Sequence, residues 1–340
     1  MEKITIRGLH NNSDVLVGES ITNLKQYLPD TKTFVITDRH IGELYGHYWE
    51  GIPTYHVEPG EKSKSPDTAT ELYRWLISHQ ADRKSFIVGI GGGMVCDLAG
   101  FIASTFLRGI GFGFVATSLL AQVDASVGGK NGINIDGYKN LVGTFNQPSF
   151  VICDTNLLKS LPPTELRNGL AEVVKHALIA DLDMFSNMET NTDAILQLEA
   201  DLINDLVSRS VKIKAHVVSQ DERESGLRRI LNLGHTWGHA VEKTDMLPHG
   251  YAVSIGLVFA AGISVSKNMM LQHEKERLER LLLKLGLPLL TQTDPNMVFD
   301  ALLKDKKKEA GIIHFVLMKG VGSVVVEPIA IKDLRDHLGI

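Results

Sequence analysis

The chain has 340 residues, room for two domains at the usual size of about 150 residues each. Its 35 Lys and Arg against 40 Asp and Glu give a net charge of −5, without the basic surplus that phosphate-backbone binders carry. Apolar residues at 44% exclude a disordered chain, and Cys96 and Cys153 alone exclude a disulfide framework and fit a reducing compartment. The opening MEKITIRGLH lacks an apolar signal core, and the longest apolar stretch, about 252–265, is interrupted by serines and too short for a bilayer. These features predict a cytoplasmic protein with no membrane and no nucleic-acid partner.

In chain order, short β-branched runs at 33–37, 85–90, 113–116 and 150–153 read as strands. A helix between the first two is announced by Ser65 as cap and Pro66 in its first turn, with Leu72, Trp75, Leu76 and His79 at helical spacing. Strands separated by helices indicate a parallel sheet covered on its faces. From Leu161 onward helix signals dominate: one opened by Pro162–Pro163–Thr164, then about 183–198, 200–217, 234–244, 250–268 and 274–285, the last stopped by Gly286 and Pro288. Asp294–Pro295 starts another helix, and 312–317 with 322–326 reads as a late hairpin. The expected fold is α/β plus α, with a parallel-sheet domain over 1–156 and a mostly helical domain over 157–340.

Three groups of residues carry chemistry. The strand from Ser85 runs into Gly91–Gly92–Gly93 and then Asp97, a turn whose N–H groups can approach an anion, although its spacing departs from G-x-G-x-x-G. Glu61, Lys62 and Lys64 follow Pro59–Gly60, and Asp38 ends an early strand, where a carboxylate can accept a ribose hydroxyl. The second group is His235-Thr-Trp-Gly-His239 with His249 close behind. Histidines four apart share a helix face and suit a metal, but spacing does not choose the ligands. Asn168, Glu172 and Lys175 form a polar strip on an earlier helix. The third group is cationic: Arg108, Lys130, Lys139–Asn140, Lys214, Arg228 and Lys306–Lys308 suggest a small polyanionic ligand in an acidic protein.

Taken together, the segments 59–64 (PGEKSK), 91–109, 119–148, 161–179, 214–242, 249–256 and the Asp305-Lys-Lys turn resemble the 3-dehydroquinate synthase family, in order and through nearly the whole chain. The resemblance implies an N-terminal Rossmann-like domain, a mostly helical C-terminal domain, an active site in the interdomain cleft, and a homodimer. It implies NAD+ contacts at Asp38, Glu61, Lys64, Gly92, Gly93, Asp97, Thr117, Ser118, Asp124, Lys139 and Asn140, and Zn2+ or Co2+ ligands at Glu172, His235 and His249. Substrate would meet Arg108, Asp124, Lys130, Asn140, Lys175, Lys214, Arg228, Asn232, His239 and Lys306 or its neighbour Lys307. Lys175, Glu224 and His239 would take catalytic roles, and Arg108 would reach the substrate phosphate from the partner subunit. The family often carries Asp-Ser-Asn and Thr-Thr where this chain has Asp38-Arg39-His40 and Thr117–Ser118.

The activity so implied is conversion of 3-deoxy-D-arabino-heptulosonate 7-phosphate to 3-dehydroquinate and phosphate, with NAD+ regenerated in each turnover, a step of aromatic amino acid biosynthesis. Other sugar phosphate cyclases, of the inosose or valiolone synthase type, share the metal and NAD+ apparatus. A glycerol-dehydrogenase-like enzyme shares the two-domain plan without needing Lys130, Lys139–Asn140 and Arg108 together. A silent nucleotide-binding protein is the remaining alternative.

Overall fold

The computed structural model describes residues 1–9, 11–306 and 311–338. The chain divides into two compact units, Met1–Leu161 with Ile203–Arg223, and Pro162–Leu202 with Glu224–Ile340.

The first unit is built on a seven-stranded sheet ordered β1-β2-β9-β6-β5-β3-β4. Its strands are β1 (Glu2–Ile6), β2 (Ser13–Val17), β3 (Thr33–Asp38), β4 (Thr54–Val57), β5 (Phe86–Gly91), β6 (Gly111–Ala116) and β9 (Phe150–Cys153). Only β1 runs antiparallel to its neighbour; the other pairings are parallel. Every residue of β5 and β9 is buried, so these strands read as unbroken apolar runs, as a sheet covered on both faces requires. A separate antiparallel hairpin joins β7 (Lys130–Ile135) to β8 (Tyr138–Phe145). Between the strands lie α1 (Arg39–Tyr45), α2 (Pro66–Ser78) and α3 (Gly93–Thr105). Ser65 Oγ accepts from Thr68 N at 3.2 Å, the predicted cap of α2, while Leu72 and Leu76 turn inward. His79 falls just past the helix and packs its ring 4.7 Å from Trp75.

The second unit holds α4 (Pro163–Ala180), α5 (Leu182–Thr190), α6 (Thr192–Leu196), α8 (His235–Asp245), α9 (His249–Ser266), α10 (Gln272–Lys284), α11 (Pro295–Lys306), the hairpin β10 (Ile312–Met318) with β11 (Val324–Ala330), and α12 (Ile331–Leu338). The single helix expected over 183–198 is two, broken at Asn191, whose side chain bonds back to Asn187. The stop at Gly286 is a left-handed residue, φ 74°, with Leu287 N donating to Leu282 O at 2.9 Å. Among the described residues α9 alone is long and apolar enough to cross a membrane, yet two-thirds of it (67%) is buried in the protein. A helix apolar all round and buried is a core helix.

The first break falls five residues past the expected boundary after residue 156, but the division is not a single cut. The first unit runs to Leu161 and takes back most of α7 (Ala200–Gln220), which enters it at Ile203. Two ties explain the return: Ser208 Oγ donates to Glu2 Oε2 at 2.5 Å, and Lys212 Nζ pairs with Glu2 at 2.7 Å. An amphipathic pattern shows that a helix has a buried face, not which core that face joins.

Candidate metal centre and cofactor cradle

In the first unit the carboxyl ends of three adjacent parallel strands carry the residues nominated for a dinucleotide. Thr37 pairs with Ile90 and Gly91 with Ala116, so Asp38, Gly92–Gly93 and Thr117–Ser118 line one edge of the sheet. Ligands of open α/β sheets bind at that edge. Gly92 caps α3 without a side chain, so the helix N-terminus is formed by backbone alone. Asp38 also has a local duty, since its Oδ1 accepts from Ile41 N at 2.9 Å and caps α1.

Beside this edge lies a connected polar cluster. Lys64, only 3% exposed, pairs with Asp97 at 2.5 Å and donates to Asn140 Oδ1. Glu61 accepts from Asn134 at 2.8 Å, and Asn134 Oδ1 in turn accepts from Asn140 N at 2.9 Å. Burial pushes the Asp97 carboxyl up, with Lys64 opposing. Glu61, Lys64, Asp97 and Asn140 are thus brought together, along with Asn134, which sequence reasoning missed because asparagine at a strand turn has no distinctive spacing. Asp124 sits on a single wide turn of π type, Ala121–Ala125, and buried Lys214 of α7 donates to both its carboxylate and its carbonyl. Lys130 opens β7, Lys139 lies exposed on β8, and Arg108 is exposed in a run of positive φ (Leu107 51°, Arg108 71°, Gly109 116°).

In the second unit α4 places Asn168, Glu172 and Lys175 on one buried face, spaced four and three apart. Asn168 Oδ1 accepts from Gly250 N at the start of α9, and a Cβ on Gly250 would stand 2.1 Å from the Asn168 carbonyl. Only glycine lets α9 begin against α4, and that contact delivers His249 to Glu172. A Cβ on Gly256 would meet the Gly234 carbonyl at 1.9 Å, so α8 and α9 also touch backbone to backbone. The two helices bring the rings of His235 and His249 to 5.2 Å.

Glu172, His235 and His249 converge. His249 Nε2 lies 3.3 Å and His235 Nε2 3.6 Å from Glu172 Oε1, while Lys175 Nζ pairs with Oε2. Each of the three offers a ligand atom within 4.8 Å of the others. Burial alone would raise the Glu172 pKa, but Lys175, His235 and His249 hold it well below the usual carboxylate range. Burial, then Lys175, pushes His235 well down, which keeps its ring neutral. Burial opposes protonation of His249 too, but the Glu172 and Glu242 carboxylates raise it to about 9.

These residues fit a divalent ion. Both Glu172 oxygens are buried with no well-aligned hydrogen bond, and Oε1 faces two imidazole nitrogens. Two imidazoles and a carboxylate form the open donor set of catalytic zinc sites, and cobalt is accommodated by the same donors. His239, expected on the substrate side, is exposed, with its ring 5.2 Å from His235. Glu224 has φ 59° and accepts from Asn232 Nδ2 at 2.5 Å; Arg228 is buried on the turn Leu227–Asn232. The side chain of Lys306 and all of Lys307 lie outside the described residues. Glu242, absent from the expected set, touches His249. Its signal was its place seven after His235 and three after His239, on the same face of α8.

A unit built on a largely parallel sheet and a mostly helical unit make up the fold that the solved sugar phosphate cyclases share. A crystal structure of 2-deoxy-scyllo-inosose synthase with carbaglucose-6-phosphate, NAD+ and Co2+ superposes with a TM-score of 0.89 over 99% of each chain at 27% identity. Family models for the N-terminal and C-terminal parts of 3-dehydroquinate synthase match residues 54–168 and 169–308. The 3-dehydroquinate synthase of Dehalococcoides mccartyi strain 195 is 42% identical over 92% of this chain and 90% of its own. That of Pelobacter propionicus is 40% identical over 100% and 99%. The chain belongs to the 3-dehydroquinate synthase family.

Proposed function

We propose that the protein is an NAD+- and metal-dependent carbon–oxygen lyase, a 3-dehydroquinate synthase that converts 3-deoxy-D-arabino-heptulosonate 7-phosphate to 3-dehydroquinate and inorganic phosphate. The observation that carries this reading is the convergence of Glu172, His235 and His249 in a chain whose relatives share that name. When bound, NAD+ would take up and return a hydride while Zn2+ or Co2+ would acidify the hydroxyl being oxidised.

The chain's own groups do the rest. Glu61, Lys64, Asp97, Lys139 and Asn140, with the edge at Asp38, Gly92–Gly93, Thr117–Ser118 and Asp124, would hold the dinucleotide. Lys175, nearly fully buried beside Glu172, would set a fixed positive charge where the substrate oxygen loses its proton. Lys130, Asn140, Arg108 and Lys306 or Lys307 would clamp the phosphate, with Arg108 able to bind it bidentately. Arg228 and Lys214 would take the substrate carboxylate, Asp124 and Asn232 its hydroxyls. His239 and Glu224 would move protons, Glu224 held by Asn232. The departing phosphate can itself take the proton lost on elimination, so no side chain is required for that step.

A homodimer in the cytoplasm completes the proposal. The exposed apolar side chains of Tyr138, Leu141, Val142 and Phe145 along β8, and of Leu107 beside Arg108, support a second copy packing on this unit and Arg108 reaching the partner's substrate.

Incubated with the heptulosonate phosphate, NAD+ and zinc, the enzyme is expected to release phosphate steadily with no net NADH. Inactivity under those conditions overturns the reading, and NADH accumulating from a simple polyol instead marks an alcohol dehydrogenase. Arg228→Leu is expected to lower kcat/KM by about 10²–10³-fold, the loss of about 3–4 kcal/mol. Unchanged kinetics in a variant that melts normally would point to a cyclase whose substrate has no carboxylate.

A further inference from the structure

We propose that Glu242 is a positioning residue of the metal centre, fixing the tautomer and ring orientation of His249 so that Nε2 faces the ion. The proposal rests on reading Glu172, His235 and His249 as the ligands. His249 Nδ1 lies 3.1 Å from Glu242 Oε2, and its Nε2 points the other way, 3.3 Å from Glu172 Oε1. A carboxylate only accepts hydrogen bonds, so Nδ1 keeps its proton toward Glu242, and Nε2 is the nitrogen that gives up its proton and supplies a lone pair when an ion binds. His235 is set up in the same sense by a different device: its Nδ1 lies 3.1 Å from the Leu233 carbonyl, and its Nε2 faces Glu172.

The two devices are not equivalent. Leu233 offers a backbone oxygen fixed by the turn before α8, whereas Glu242 brings a full negative charge and a replaceable side chain. Outer carboxylates of this kind orient metal-bound imidazoles and make them better donors. Glu242 is 12% exposed and sits two turns along α8 from His235, so one helix supplies both a ligand and the support for the ligand on α9.

His239, Glu242 and His249 also bring donor atoms within 4.8 Å of one another, and could hold an ion themselves. That arrangement needs His249 Nδ1 as a ligand atom, whereas the short approach of Glu242 Oε2 makes the same nitrogen a hydrogen-bond donor. The observed geometry favours support over ligation.

Purified protein stripped of metal tests this by zinc titration against a chromophoric chelator, with ¹⁵N-histidine NMR on the zinc-loaded form. In wild type, one tight zinc per chain is expected, with His249 carrying its proton on Nδ1. Glu242→Ala should loosen zinc about 10–100-fold, the usual consequence of losing such a support. Glu242→Gln, whose amide oxygen still accepts from Nδ1, should recover most of that affinity and keep the tautomer. Zinc binding unchanged in a normally folded Glu242→Ala protein overturns the proposal. So does a second zinc per chain that only Glu242 variants lose, since Glu242 is then a ligand. Failure of wild type to bind zinc, or retention of zinc by Glu172→Gln, would instead defeat the ligand reading beneath it.

Discussion

Glu172→Gln is expected to abolish tight zinc binding and to lower turnover by about 10³-fold or more at micromolar zinc. The amide keeps the size of the side chain and one oxygen but removes the charge that faces both imidazoles. A bound divalent ion contributes several kcal/mol to stabilising an oxygen that is losing its proton, and about 4 kcal/mol corresponds to roughly 10³ in rate. Glu172 is also fully buried and is the negative partner of Lys175. Deleting one member of a buried pair leaves the other charge uncompensated, typically at 3–5 kcal/mol. The metal-free variant should therefore melt below metal-free wild type, before any ion is added. NAD+ affinity should be retained, because Glu61, Lys64, Asp97 and Asn140 belong to the other unit. Calorimetric melting, zinc titration and NAD+ titration separate these effects. A variant that keeps one tight zinc and works within tenfold of wild type would remove Glu172 from the centre.

How far the sequence revealed this centre depends on distance along the chain. The spacing of His235 and His239 correctly places both on one face of α8, yet it cannot show that a carboxylate on α4 approaches His235 Nε2 while leaving His239 exposed. The choice of Glu172, His235 and His249 over the i, i+4 histidine pair came from the family resemblance. Glu242 was missed although its spacing shares that face, because a glutamate on an amphipathic helix is ordinarily a solvated residue. The fold shows the same division. Strands β3, β5, β6 and β9 are buried runs and could be read directly, although β6 starts two residues before the expected Gly113. The edge strand β1 is largely exposed, β4 is mostly half-buried, and all of β8 except Thr144 is exposed, so neither a continuous run nor a clean alternation marks them. The return of α7 to the first unit depends on contacts with Glu2 at the other end of the chain, beyond any window of local pattern.

The second large effect concerns the helix contact that sets the separation of His235 and His249. Gly256→Ala places a methyl 1.9 Å from the Gly234 carbonyl and 3.0 Å from Gly238 N, both backbone atoms that no rotamer change can move aside. Helices α8 and α9 must part, and overpacking of that kind costs 1–3 kcal/mol or more even where side chains can yield. We expect a loss of about 3 kcal/mol, roughly 6–12 °C in Tm. Zinc affinity should fall as well, since each helix carries a ligand. Gly262→Ala on the same helix is the matched comparison. Its added methyl would find only Lys275 Cε at 4.0 Å, so alanine's better helix propensity should raise stability by about 0.5–1 kcal/mol. Opposite signs from one chemical change on one helix isolate the backbone contact as the cause. If Gly256→Ala melts with wild type and binds zinc as tightly, the approach of α8 to α9 does not set the geometry of the centre.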